Sequence, residues 1–146
     1  MANHNERDTF HHLIEICSDG ERGFRTAAEH VNDPDLRAVF MELADERRRF
    51  AADLVPHLHR LGGHPDTEGT SAGAIHRNWM TLRGLVPGNH DHAIVVEAER
   101  GERVALNAYD RALGGMLPPT ADWLIEAQRE AVRKAHERIV AMDRAE

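Results

Sequence analysis

Residues 34–61 read PDLRAVFMELADERRRFAADLVPHLHRL, and this stretch decides the fold. An α-helix turns once every 3.6 residues, so apolar side chains at steps of three and four residues share one face. The stretch has that spacing at Leu36, Val39, Phe40, Leu43, Phe50, Leu54, Leu58 and Leu61. Asp33 can cap the helix before Pro34, and Gly62-Gly63 can end it. We therefore predict one long amphipathic helix, helix B, over about 34–61.

Three further stretches repeat this pattern, and a shorter helix is predicted in the long connection between B and C. The A–B and C–D connections are short, so each pair should form an antiparallel hairpin. The long B–C connection makes B and C parallel, which is ferritin-like topology rather than up-down-up-down. We expect an all-α, ferritin-like four-helix bundle over 1–146, with helix A at about 8–31, a crossover helix at about 71–86, helix C at about 89–113 and helix D at about 120–144.

Composition restricts the classes of function. The chain has 146 residues and a net charge of −7, and an acidic balance argues against nucleic-acid binding, which needs a basic face. The basic run Arg47-Arg48-Arg49 lies among acidic residues, which predicts a solvated, ion-paired helix face. No apolar run approaches the ~20 residues of a membrane span. The sole cysteine, Cys17, falls on an apolar face and is expected to be an inert core thiol. With no signal-peptide pattern, these features predict a cytoplasmic protein.

The two predicted hairpins resemble each other in sequence. Gly20-Glu21-Arg22 in helix A aligns with Gly101-Glu102-Arg103 in helix C. In the partner helices, the ELADE segment (42–46) aligns with EAQRE (126–130). Each half thus has Gly-Glu-Arg on its first helix and Glu-x-x-x-Glu on its second. An internal repeat explains this match, and chance recurrence of common residues is the alternative.

Glutamates near the middle of the four helices form the sharpest candidate site. Mid-helix positions share one level in an antiparallel bundle, and carboxylates at one level are how di-iron and di-manganese bundles hold their ions. The hypothesis is a carboxylate site for Fe or Mn, with one glutamate from each helix and two further candidates one turn away. The residues are Glu21, Glu46, Glu102 and Glu130, with Glu42 and Glu126 as the additional ligands.

One observation weighs against that site, and a polar layer is the alternative to it. Di-iron bundles carry Glu-x-x-His on two helices, whereas Arg49 and Arg133 stand three residues after Glu46 and Glu130. Only an all-carboxylate site for a harder cation remains compatible with these residues. The alternative is a polar layer in which the glutamates point outward or pair with Arg22, Arg47, Arg103 or Arg129. If four carboxylates did share a poorly hydrated layer, they would need protonation, arginine partners or a cation.

Two segments carry a family resemblance. Residues 13–54, LIEICSDGERGFRTAAEHVNDPDLRAVFMELADERRRFAADL, and residues 61–85, LGGHPDTEGTSAGAIHRNWMTLRGL, resemble a bacterial family, domain of unknown function 2383 (DUF2383). The resemblance extends from about Phe10 to Asp143. It implies a ferritin-like bundle in the bacterial cytoplasm, and it implies no established activity and no catalytic residues.

Two functional hypotheses follow. The first is a non-catalytic, self-associating or stress-related binding module. The second is a metal-binding di-metal carboxylate protein with a redox or metal-handling role. Alanine-rich stripes in C and D make a thin core, so burying Trp79 or Trp123 against a second copy predicts a homodimer. His11 or His12 at the start of A can approach His57 or His59 at the end of B, but ordinary surface histidines at helix ends are the favoured interpretation.

Overall fold

The computed structural model describes residues 4–65, 90–115 and 119–144. These residues form four long helices that match the predicted helices A to D, although the first begins four residues earlier than expected. The crossover helix predicted at about 71–86, with Trp79, lies outside the described residues. The helices are α1 (His4–His30), α2 (Pro34–Arg60), α3 (His90–Leu113) and α4 (Pro119–Arg144).

The signals read from the sequence set the limits of α2. The Asp33 carboxylate accepts a hydrogen bond from the Asp35 backbone N–H at 2.8 Å, and Pro34 occupies the first turn. After the helix, Gly62 has a φ of 83°, a left-handed conformation that glycine adopts without steric cost. Residues that favour helix ends therefore lie at both ends of α2, as the sequence predicts.

The four helices form a bundle in which α2 and α3 lie diagonally opposite each other. Helix α1 packs against α2 and α3, and α4 packs against the same two helices. The Asp91 carboxylate in the first turn of α3 accepts hydrogen bonds from the backbone N–H groups of Asn32 and Asp33, at 2.8 and 2.9 Å. The starts of α2 and α3 therefore lie together, and the two helices run parallel. This confirms the predicted ferritin-like topology.

Apolar side chains fill the bundle in two clusters, one at each end. The cluster nearest the α1–α2 turn is centred on Phe24, Phe40, Ile94 and Ile139. The other is centred on Phe10, Leu54, Leu58 and Ile125. Polar residues lie between the two clusters, at mid-bundle. Across the described ranges, no helix is both long enough and apolar enough to span a membrane.

Candidate functional site

Arg47 and Glu102 form an ion pair at the centre of the bundle. The Arg47 Nη1 and Nη2 atoms donate to Glu102 Oε1 and Oε2 at 2.6 and 2.5 Å, so the pair is bidentate. Each residue is only 1% exposed. Because α2 and α3 are diagonal to each other, the two side chains meet across the bundle axis. The pair fills the middle of the core with one positive and one negative charge, which offset each other.

Two residues of α1 shape the space around the guanidinium. A Cβ atom added to Gly20 would lie 3.4 Å from Arg47 Cγ and Nη1, so a glycine leaves the arginine its room. The Phe24 ring lies on another side, with its centroid 5.3 Å from Arg47 Cζ, which is a cation–π distance. The space beside Gly20 is thus taken by Arg47.

The charge state of Arg47 follows from two opposing effects. Burial lowers the pKa of the guanidinium because it disfavours the charged form. The adjacent Glu102 carboxylate opposes this by its charge and its hydrogen bonds, and the net pKa is raised above the usual arginine range. Arg47 therefore remains a cation throughout the physiological pH range.

A chain of hydrogen bonds continues the polar layer beside the ion pair. The Tyr109 hydroxyl donates to Gln128 Oε1 at 2.6 Å, and Gln128 Nε2 donates to the Phe50 carbonyl at 3.2 Å. Because the hydroxyl proton is used by Gln128, the Cys17 thiol is the donor in its 3.2 Å contact with Tyr109. Burial raises the pKa of Cys17 to about 11 and that of Tyr109 well above its usual value. The prediction that Cys17 is a core thiol is confirmed.

Of the predicted metal ligands, the structure brings Glu46 and Glu102 near each other at mid-bundle, and Glu42 lies one helical turn from Glu46. Glu102 is held by Arg47, and Glu46 is the residue before Arg47 on α2. The Oε1 atom of Glu46 is buried and has no hydrogen-bond partner in the described part of the chain. Burial raises the pKa of Glu46, and the negative charge of Glu102 also contributes to that increase.

The other glutamates lie on the flanks of their helices. Arg25 donates to Glu21 at 3.0 Å, and Arg133 donates to Glu130, whose side chain is 46% exposed. Glu130 points outward because Gln128 and Val132 on either side of it point into the bundle.

The remaining two candidate ligands also lie outside the centre. Glu42 pairs with Arg138 at 3.2 Å, and Glu126 is exposed. In the described ranges no group of three or more His, Cys, Asp or Glu residues is placed to hold a metal ion. Metal binding itself stays a prediction.

The expectation that Arg47 belongs to a solvated face is wrong. Arg48 and Arg49 are exposed, but Arg47 is among the most buried side chains of the bundle. The sequence did indicate that this side chain is buried, because position 47 lies four residues after Leu43 and three before Phe50, on the same helix face. Among the arginines suggested as partners, Arg47 pairs with one of the candidate glutamates, whereas Arg22 and Arg129 pair with Asp19 and Asp110.

Sequence reasoning missed Asp19, which is 1% exposed. Arg22 Nη2 donates to its Oδ1 at 2.8 Å, and its Oδ2 is buried without a hydrogen-bond partner within the described ranges. Burial raises the pKa of Asp19 to about 6, although the Arg22 charge opposes the increase. Spacing gave little sign of this burial, because of the positions three and four residues away only Ile16 is apolar, the others being Glu15, Arg22 and Gly23.

The start of α1 does lie beside the end of α2, as the histidine prediction required. The contact is made by Phe10, whose ring stacks on His57 with centroids 5.5 Å apart. His59 has an edge contact with His64 at 5.7 Å, and His11 lies 3.4 Å from Glu15. The contact between these ends that the structure shows is thus an aromatic one, and the approach of His11 or His12 to the α2 histidines stays a prediction.

Comparison with known proteins identifies the family of the chain. A family model described as domain of unknown function, DUF2383, matches residues 5–115. The chain belongs to the DUF2383 family. This confirms the resemblance read from the sequence, and the chain is a ferritin-like bundle within a family of unknown function.

Among solved structures, this DUF2383 member is similar to a point mutant of Dps1 from Mycobacterium smegmatis. The TM-score is 0.78, the sequence identity is 13%, and the match covers 94% of each chain. Identity that low establishes a shared fold and nothing about shared chemistry. No curated protein matches the chain.

Proposed function

We propose that this DUF2383 protein is a non-catalytic, homodimeric binding module of the bacterial cytoplasm, with the charges at the bundle centre balanced by an ion pair. In this proposal the Arg47 guanidinium supplies the positive charge that metal ions supply in di-metal carboxylate bundles. The observation that carries it is the bidentate pair with Glu102, buried to 1% exposure on both sides. Of the three ways to offset a buried carboxylate, arginine pairing is the one this geometry supports.

The residues at mid-bundle do not fit a di-metal centre. Both oxygens of Glu102 accept from Arg47, so binding a metal ion there would require breaking two charge-assisted hydrogen bonds. A divalent cation would also meet the fixed positive charge of Arg47. Among the candidate glutamates, only Glu46 has a buried carboxylate oxygen that lacks a partner in the described part of the chain. One such carboxylate falls short of the several ligands that a tightly bound hard cation requires.

The chemistry of the centre supports a structural role. A thiol with a pKa of about 11 is protonated at neutral pH, and the thiolate rather than the thiol is the nucleophile. The Tyr109 hydroxyl is likewise buried and engaged in hydrogen bonding. A buried, reduced Cys17 is consistent with a reducing compartment. Self-association is supported by Trp123, a large apolar side chain that is 72% exposed.

Metal handling remains the second candidate function, because Glu46 leaves a buried carboxylate oxygen close to Glu102. One experiment separates the two. The protein is purified without affinity-tag metal or chelator, its metal content is measured, and it is melted with Mn²⁺, anaerobic Fe²⁺ or EDTA. A cation that binds the folded state raises the melting temperature with concentration. We expect less than one metal ion per ten chains and flat melts. Stoichiometric Fe or Mn, or a dose-dependent rise, would overturn the proposal and favour the metal-binding alternative.

A further inference from the structure

Among the described residues, the side of the bundle formed by α2 and α4 is open. Between these helices is a cleft of about 180 Å³, lined by Glu42, Leu43 and Glu46 from α2 and by Ala131, Lys134, Ala135 and Arg138 from α4. The α4 alanines end at Cβ, so they cannot fill the space between the two backbones. Leu43 and the two alanines leave an apolar floor beneath charged walls.

The two walls of the cleft carry opposite charge. Glu42 and Glu46 project from α2, and Lys134 and Arg138 project from α4. The walls are level with each other, because Arg138 Nη1 lies 3.2 Å from Glu42 Oε2. Both residues of this pair are exposed, and an exposed ion pair of this kind contributes little to stability. These charges are therefore available to a partner at small cost.

The same side of α4 continues into an exposed apolar residue. Trp123 precedes Lys134 by 11 residues, about three helical turns, so the two residues share a face. Two contacts fix the antiparallel register of α2 and α4. Gln128 Nε2 donates to the Phe50 carbonyl at 3.2 Å, and Glu42 pairs with Arg138. By that register Trp123 is level with the α2 turn at Pro56, which is itself exposed.

We propose that this surface, the α2–α4 face, binds the same face of a second copy about a twofold axis parallel to the helices. The inference rests on the self-association proposed above and names the surface responsible. Such an axis sets α2 of one copy over α4 of the other at the same level. Glu42 and Glu46 then oppose Lys134 and Arg138 of the second copy, and Trp123 covers the Pro56 turn of the second copy.

The charges select this arrangement over its main alternative. The alternative is a twofold axis that lies in the interface, perpendicular to the helices and level with the cleft. It would set α2 against α2 and α4 against α4. The acidic wall would then face itself, and the basic wall would face itself, which disfavours association. With the axis parallel to the helices, the acidic wall of each copy faces the basic wall of the other. The face is self-complementary, as a twofold interface requires.

Two charge-reversal variants test the face. One carries Glu42→Lys and Glu46→Lys, and the other carries Lys134→Glu and Arg138→Glu. Each homodimer would have like charges at both contacts, so we expect its dissociation constant to rise at least tenfold in low salt. In an equimolar mixture, every contact of the heterodimer again joins opposite charges. Sedimentation equilibrium and native mass spectrometry should therefore show that mixing restores a dimer.

Matched variants control for net charge and for folding. Glu29→Lys with Glu97→Lys changes the net charge as much as the first variant does, but on α1 and α3, and should leave the dimer intact. Trp123→Ala removes an exposed side chain, so it should fold normally and weaken the dimer. Circular dichroism melts verify that each variant is folded at the temperature of the measurement.

The outcomes separate this inference from the proposed function. A monomeric parent protein would overturn both. A dimeric parent whose affinity is unchanged by Trp123→Ala and by both charge reversals would overturn the α2–α4 face and leave self-association standing. If each charge-reversal variant alone dissociates and mixing the two fails to restore a dimer, the charges act within one chain. That result would overturn the face-to-face arrangement.

Discussion

Arg47 on α2 and Glu102 on α3 join the two diagonal helices of the bundle through a pair of hydrogen bonds of 2.6 and 2.5 Å. Neither helix packs its backbone on the other, so this ion pair is a side-chain bridge through the core. Both residues lie at the midpoints of their helices, so the bridge crosses the bundle at its centre. The pair therefore sets the electrostatics of the middle of the core.

The hydroxyl of Tyr109 should make a measurable contribution to stability. Tyr109→Phe leaves Gln128 Oε1 without its donor and Cys17 without its acceptor, and an unsatisfied buried polar group costs about 1–3 kcal/mol. We expect a loss in that range in the free energy of unfolding, measured by urea titration. Adding Gln128→Leu to this variant should recover part of the loss. A Tyr109→Phe protein as stable as the parent would contradict the hydrogen-bonded layer.

Cys17 should resist modification in the native protein. Burial raises the pKa of this thiol to about 11, so very little thiolate exists at pH 8, and the side chain is covered. We expect a thiol reagent to label Cys17 only as fast as the protein opens. Labelling in denaturant, where one thiol per chain should react at once, is the control. Native labelling at the rate of free cysteine would contradict the assigned burial.

Asp19 should make stability depend on pH in the acidic range. Burial disfavours the carboxylate and raises the pKa of Asp19 from an ordinary 3.8 to about 6 in the folded protein. A raised acid pKa favours the folded state below the unfolded pKa, and this contribution is lost as pH rises through the folded pKa.

Asp19→Asn provides the comparison for that pH effect. The melting temperature of the parent, relative to this variant, should fall between about pH 4 and pH 6 and then level off. Melts of both proteins at closely spaced pH values measure the difference, which cancels the contributions of other carboxylates. A difference that is constant across this range would contradict the raised pKa.

Much of the fold could be predicted from the sequence because local signals act over long, regular stretches. The stripe from Leu36 to Leu61 and the caps at Asp33 and Gly62 fix α2 without reference to the rest of the chain. The length of the B–C connection then implied that α2 and α3 are parallel, and the Asp91 hydrogen bonds confirm it.

The centre could not be predicted in the same way, because the two halves of the repeat are equivalent at Glu21 and Glu102 but differ in what faces them. The repeat aligns Arg47 with Ala131, so only one half supplies a buried guanidinium. Glu102 therefore turns inward to Arg47, whereas Glu21 pairs with Arg25 one turn along its own helix. Which glutamate is buried depends on a residue of another helix, and helical periodicity carries no information about that choice.

The central ion pair predicts a specific pattern of unfolding free energies. Arg47→Met or Glu102→Leu alone leaves a charged or polar group buried without its partner, which costs about 3–5 kcal/mol. Replacing both residues removes both charges and fills the space with apolar atoms, which is often neutral or stabilising. Arg133→Met, which breaks an exposed pair with Glu130, is the matched surface control and should leave stability unchanged within error.

The most direct measurement is the double-mutant cycle of Arg47→Met and Glu102→Leu, with unfolding free energies from urea titration of all four proteins. Our account predicts that the double variant is more stable than either single variant, with a coupling energy of about 3 kcal/mol or more between the two sites. Losses that simply add, with the double variant the least stable of the four, would contradict the claim that Arg47 balances the charge of Glu102.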